Sequence, residues 1–215
     1  SDAAVAYEAA KRGYFLFLQN YPTSKEAAEV KYNIADIDHY LKDYDSAAKA
    51  YLEIASLGKE KAVLYEGEKV KDNIHRKVSK YMLEDYQLAF EPEFKVLRKR
   101  KPDFTKGKLP LSPRARKFIK ACELYKDWYP DDKVAKKTCD VFIAELYRRT
   151  NDKENAFKAL TMLATTYPDD KDGAEAVEYL LPMYDPKKDQ KELASAVDKF
   201  YGIPQYRKGE LGKKL

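Results

Sequence analysis

The chain has 215 residues, 36% of them charged, with a formal net charge of +5, eight glycines and ten prolines. That length suits one elongated domain or two small ones and excludes a large multidomain enzyme. Few helix breakers and an abundance of Ala, Leu, Lys, Glu and Tyr predict an all-α fold, and the lack of a long apolar run excludes a membrane-spanning helix.

Residues 3–20 place Ala6, Ala9, Ala10, Gly13, Tyr14, Phe17 and Leu18 at helical spacing. They predict an amphipathic helix stopped at Tyr21-Pro22, because proline has no amide donor and its ring clashes with the preceding turn. Thr23-Ser24 offer hydroxyl caps for a second helix to about Leu41, with Ala27, Val30, Ile34, Ile37 and Leu41 inward. Lys42-Asp43 reads as a short turn. A third helix runs from Tyr44 to Leu57 with Ala47, Ala50, Tyr51, Ile54 and Leu57 inward, and Gly58 stops it.

Residues 60–90 carry one long helical pattern through Val63, Leu64, Val70, Ile74, Val78, Tyr81, Met82, Tyr86 and Phe90. A basic stretch follows. Between Phe94 and Lys120 stand eleven lysines and arginines against one acid, Asp103, so this window is net +10 and the rest of the chain net −5. Lys95, Arg98, Lys99, Arg100, Lys101, Lys106, Lys108, Arg114 and Arg116 form the candidate basic patch. It has two readings: a solvated loop over 101–111 kept extended by its charge, or a surface that steers acidic proteins, anionic lipid or nucleic acid. Nucleic acid fits worst, because Phe104 alone makes a poor stacking platform.

Ser112-Pro113 is a cap followed by a first-turn proline and opens a helix through Phe118, Cys122 and Tyr125 to Tyr129. Asp131-Asp132 start the next, with Ala135, Val141, Phe142, Leu146 and Tyr147. After a turn at Asn151-Asp152, Ala156, Leu160, Leu163 and Ala164 mark a helix that ends at Tyr167-Pro168. Acids at these helix starts complement the helix dipole. A helix from about Lys171 is interrupted by Pro182 and Pro186, another spans about Asp189 to Tyr201, and the remainder to Leu215 reads as frayed.

Cys122 and Cys139 lie symmetrically about the turn at Pro130-Asp131, so facing helices would bring them to similar heights. A bridge needs Cα atoms within about 7 Å, and two buried small residues are the preferred reading. Asp36 and His39 share a helical face, but one such pair cannot fill a zinc shell. His75 has no histidine or cysteine at ligand spacing. The chain has no glycine-rich phosphate loop, nucleophile elbow or His-Glu-x-x-His motif, so no metal, no cofactor and no enzyme activity is expected.

Tyr-Pro recurs at Tyr21, Tyr129 and Tyr167, and the last two copies stand 38 residues apart. Such self-similarity predicts a solenoid of antiparallel helical hairpins, an α-α superhelix. The run Tyr44-Asp45-Ser46-Ala47-Ala48-Lys49-Ala50-Tyr51 resembles the second-helix signature of the tetratricopeptide repeat. Ile34-Ala35 and Ile143-Ala144 resemble the large-small pair of the first helix, and Tyr147 its aromatic site; Asp38 and Pro182 depart from the pattern.

The likeness covers 1–58 and 113–201, on either side of a distinct 59–112, and is similar to repeats of bacterial envelope proteins, the Tol-Pal periplasmic partner and the outer-membrane assembly lipoprotein among them. It implies a non-catalytic scaffold binding a peptide or protein partner, in the periplasm or at the outer membrane, with a cytoplasmic setting or an accessory domain of a larger enzyme or transport machine as alternatives. The chain starts at Ser1-Asp2 without methionine, as a processed or trimmed chain would. The groove-facing positions the resemblance implies are Glu29, Tyr32, Asp36, His39 and Tyr40 in the first hairpin, and Thr138, Val141, Glu145, Arg148 and Arg149 in the second.

Overall fold

Three turns of one design punctuate the chain. In a computed structural model that describes residues 2–58 and 71–215, each Tyr-Pro pair follows a helix whose last turn accepts the tyrosine amide. The tyrosine carbonyl then accepts an amide three residues on, from Ser24 (3.2 Å), Asp132 (3.1 Å) and Asp170 (3.1 Å). Proline suits the second position of such a turn because its φ is already set.

All regular structure among the described residues is helical, in the order α1 (Asp2–Asn20), α2 (Ala27–Tyr40), α3 (Tyr44–Ala55), α4 (Lys71–Arg98), α5 (Pro113–Trp128), α6 (Lys133–Arg149), α7 (Lys153–Thr166), α8 (Lys171–Leu180), α9 (Gln190–Tyr201) and α10 (Gly209–Lys214). Among these residues no helix is long and apolar enough to cross a membrane. Val63, Leu64 and Val70 lie outside the described residues.

The turns α2–α3 and α6–α7 are copies of each other. Lys42 and Asn151 take left-handed backbone, φ 64° and 57°. Asp43 N–H then reaches back to the Asp38 carbonyl (2.8 Å), and Asp152 N–H to that of Tyr147 (3.0 Å), satisfying carbonyls the helix end would leave open. The same aspartates cap the next helix, accepting from Ser46 and Asn155 amides at 3.3 Å.

The chain forms two compact units, Ser1–Glu93 with Ser112–Asp132, and Phe94–Leu111 with Lys133–Leu215. In the first, α1 packs on α2 and α2 on α3. Its core holds Ile34, Ala35, Ala47, Tyr51 and Ile54, with Val78, Met82 and Phe90 of α4 and Phe118 and Tyr125 of α5. In the second, α6 packs on α7 and α7 on α8 around Ala144, Leu160, Leu163, Val177, Leu180 and Phe200. Burying a large apolar side chain contributes roughly 1.5–3 kcal/mol, so these clusters dominate each unit's stability.

Several expectations need correction. No residue of α1 is buried, so the stripe at Ala6, Ala9, Ala10 and Gly13 is exposed; the helix leans on α2 through the Lys11–Asp38 pair and the Tyr7–Tyr40 stack. α2 starts at Ala27 with no side-chain cap from Thr23 or Ser24; Ser24 Oγ instead accepts the Glu26 amide (3.2 Å) inside the turn. Leu57 points outward, beyond the end of α3, while Gly58 does take the left-handed stop, φ 81°. α4 does not end at Phe90: it passes through Pro92 to Arg98, driven by burial of Phe94. Leu88, whose carbonyl loses its donor to Pro92, is exposed to water.

Asp131 and Asp132, directly before α6, also bond side chains, accepting from Arg76 (2.8 Å) and from the Tyr125 hydroxyl (2.8 Å), and Asp170 caps α8. Residues after Gly202 are not frayed. Tyr206 is buried and donates its hydroxyl to the Ala164 carbonyl (2.6 Å), and Leu211 joins the same core. The two cysteines are not bridged to each other and both are buried, Cys122 in the first unit and Cys139 in the second.

Candidate functional site

The two sets of groove positions fare differently. In the first unit, Tyr51 of α3 donates its hydroxyl to Asp36, and His39 Nδ1 sits 2.7 Å from Asp85 Oδ1 of α4. The Lys77 ammonium lies 5.5 Å from the Tyr32 ring centroid. Asp36 and His39 are thus drawn to different helices rather than paired with each other, and Tyr32, Asp36 and His39 form a wall against α3 and α4. Glu29 is exposed, as is Tyr40, which stacks on Tyr7 (5.6 Å, 8°).

This wall is electrostatically loaded. Burial pushes the Asp85 carboxyl above the usual carboxylate range, with His39 working against it. Its Oδ2 has no hydrogen-bond partner among the described residues, a state that costs about 1–3 kcal/mol. Burial and the bond to Asp36 together push the Tyr51 phenol far up, so it stays a donor. Nearby, burial pushes Asp38 up although Lys11 binds it. Asp38 occupies the place that Tyr147 holds in the second hairpin, and the stem and head of Lys11 replace an aromatic ring there. His75, buried, has Nδ1 at the Tyr129 hydroxyl and Nε2 2.9 Å from the Ala55 carbonyl.

In the second unit a cleft of about 220 Å³ opens beside α6 and α8. Val141, Phe142, Leu160, Leu163 and Ala176 make its apolar floor, and Arg98, Glu145, Asp172, Glu175 and Tyr179 its polar rim. Of the positions implied for this hairpin, Val141 and Glu145 line the cleft, Thr138 is exposed, and the two arginines serve Glu145. Arg148 Nε and Nη2 reach Glu145 Oε2 (2.8 and 2.7 Å), Arg149 Nε reaches Oε1 (2.6 Å), and the Arg148 guanidinium lies 3.9 Å from the Tyr179 ring centroid. Arg148 and Tyr179 also border a larger cleft of about 580 Å³ walled by 102–105 and 182–185.

Residues 101–111 form a largely exposed loop, as the solvated-loop reading expects, but the loop is also anchored. Leu109 N–H bonds the Thr150 carbonyl (2.8 Å), Asp103 N–H the Asn151 Oδ1 (3.0 Å), and Phe104 packs on the core of the unit. Lys108 pairs with Asp152 (2.5 Å). Burial alone would raise the Asp152 pKa, but bonds from Lys108 and Asn155 hold it below the usual range. The segment is tied by backbone to the hairpin turn, a signal that no residue periodicity carries.

That docking sorts the basic patch. Lys106 pairs with Asp103 (3.2 Å), Lys108 with Asp152, and Arg114, with Lys117, with Asp45 (3.1 and 2.8 Å). Lys95 and Arg116 are exposed and also engaged. Arg98, Lys99, Arg100 and Lys101, at the end of α4, are exposed and make no ion pair among the described residues. Among those residues no group of three or more His, Cys, Asp or Glu could hold a metal ion. No family model, curated protein or solved structure matches this chain.

Proposed function

We propose that the protein is a non-catalytic interaction module built from tetratricopeptide-like hairpins in a superhelical array, and that it binds a segment of a partner protein along the α6/α8 face. The observation that carries this reading is the cleft in the second unit, an apolar recess with a charged rim between helices of a duplicated hairpin design. Hairpin stacks bury one face and leave the other to line a binding surface. At about 220 Å³ the cleft falls below the roughly 300–1,000 Å³ of small-molecule sites, and it suits one or two protein side chains. The polar wall of the first unit serves that unit's own packing. The resemblance to envelope repeats makes the bacterial periplasm or outer-membrane surface the setting to test first.

A photo-crosslinking amino acid placed at Thr138 or Val141 should capture one and the same partner from a bacterial envelope fraction. At Lys158 or Lys188 it should capture none. Capture from all four positions, or from none with helical content intact, contradicts the proposal.

A further inference from the structure

We propose that the cleft of the second unit receives an acidic partner segment carrying one large apolar side chain, with Arg98 taking its carboxylate. This rests on the interaction-module reading and gives its partner a chemistry.

Charge pairing at the rim carries the inference. Most of the carboxylate charge there is met from within the unit: Glu145 by Arg148 and Arg149, Glu175 by Lys171 (3.0 Å), and Asp172 in part by Lys137 (3.5 Å), which it shares with Asp170. Arg98 is the opposite case. Its guanidinium lies 4.4 Å from the Phe94 centroid and 5.6 Å from that of Phe142, and no carboxylate reaches it among the described residues. Stacking holds the plane of the guanidinium while its edge N–H donors stay available, the arrangement that binds a carboxylate through two parallel hydrogen bonds.

The next three residues, Lys99, Arg100 and Lys101, add positive potential at the same end of α4. A cationic segment would therefore meet four cations and, at the rim, only the partly paired Asp172, and a purely apolar one would leave Arg98 unused. The floor supplies the second requirement: Val141, Phe142 and Leu163 line a recess that takes one leucine- or phenylalanine-sized side chain. A membrane surface fits poorly, because interfacial binding buries a whole apolar helix face and Val96 is a single protruding apolar side chain beside these cations. A single-stranded nucleic acid needs open aromatic faces, and Phe104 is packed on the core.

The test uses fluorescence anisotropy with labelled synthetic peptides that share a central phenylalanine flanked by glutamates, by lysines or by serines, and a fourth in which alanine replaces phenylalanine between glutamates. The glutamate-phenylalanine peptide should bind about tenfold or more tightly than the other three and weaken with salt, as expected where a desolvated charge pair and an apolar anchor both contribute. Arg98→Glu, at an exposed position that leaves the core intact, should cost about tenfold, and Lys101→Glu a few-fold. Lysine or serine peptides that bind as well, unaffected by Arg98→Glu, would overturn the acidic specificity and leave the module reading standing. No binding of any peptide by folded protein would overturn both. Phosphatidylserine vesicles or an oligonucleotide bound through Arg98 in the absence of peptide binding would overturn the proposal in favour of an anionic surface.

Discussion

The hairpins α2–α3 and α6–α7 share a turn down to the left-handed residue and the capping aspartate, yet their surroundings differ. On the first, Asp36, His39 and Tyr32 are taken up by Tyr51, Asp85 and Lys77, so the face is closed by its own unit. On the second, Val141 and Glu145 border an open cleft whose carboxylates are wholly or partly paired and whose Arg98 guanidinium meets no carboxylate among the described residues. A shared backbone design therefore does not imply a shared surface role. What decides is whether the neighbouring helix brings partners for the face or leaves it to solvent.

The largest effect that could break this comparison is at Gly173 in α8. A Cβ there would stand 2.1 Å from the Tyr167 carbonyl oxygen and 2.7 Å from the Tyr206 hydroxyl. Gly173→Ala should cost about 3 kcal/mol in chemical denaturation, at the top of the range for overpacking. A variant as stable as the parent would mean that α8 does not sit so close to the Tyr-Pro turn, and the cleft wall would be misplaced.

Of equal expected size is the effect at the place where the hairpins differ inside. Lys11→Met strands the buried Asp38 carboxylate and should cost about 3 kcal/mol, the lower end for breaking a buried pair. Adding Asp38→Leu should recover most of that loss in the same assay. If the double variant is no better than the single one, Asp38 is not a charged substitute for the aromatic position that Tyr147 fills.

A smaller, pH-dependent effect marks the closed face. The Asp85 pKa is raised in the folded state, so the native protein loses stability as pH rises from the ordinary carboxylate range through the raised value. Asp85→Asn should therefore gain about 1 kcal/mol at pH 8, the scale of relieving an unsatisfied buried group. That gain should shrink toward pH 4. A variant equally destabilised at both values would show that the hydrogen bond with His39 supports the fold independently of charge.

Smallest is the tie that docks 94–111. The Asp152 pKa is lowered, so its contribution is complete above the ordinary aspartate range and is lost as pH falls below it. Amide protection at Asp103 and Leu109 should drop in acid before the core of the unit opens. Protection that persists until global unfolding would show that the backbone bonds hold without Lys108.

Much of the fold was legible in local chemistry. Proline and tyrosine at the helix ends, Ser112-Pro113 at the start of α5, and the inner stripe of α7 at Ala156, Leu160, Leu163 and Ala164 act within a few residues and leave a readable pattern. The candidate site was legible only in part. Val141 and Glu145 were among the positions the repeat resemblance implied, but the role of Arg98 depends on rings and carboxylates distant in sequence. The docking of 101–111 through main-chain bonds and the seating of Tyr206 under Ala164 were likewise illegible, because loop-to-turn bonds and single anchors have no period. Asp38 looked like a flaw in the repeat because its partner, Lys11, lies on another helix.

Amide chemical-shift mapping with the glutamate-phenylalanine peptide separates the two faces most directly. If the second unit carries the binding surface, the shifts will concentrate at Val141, Glu145, Ala176 and Tyr179, and leave Tyr32, Asp36 and His39 unmoved. Shifts that centre on Tyr32, Asp36 and His39 would contradict it.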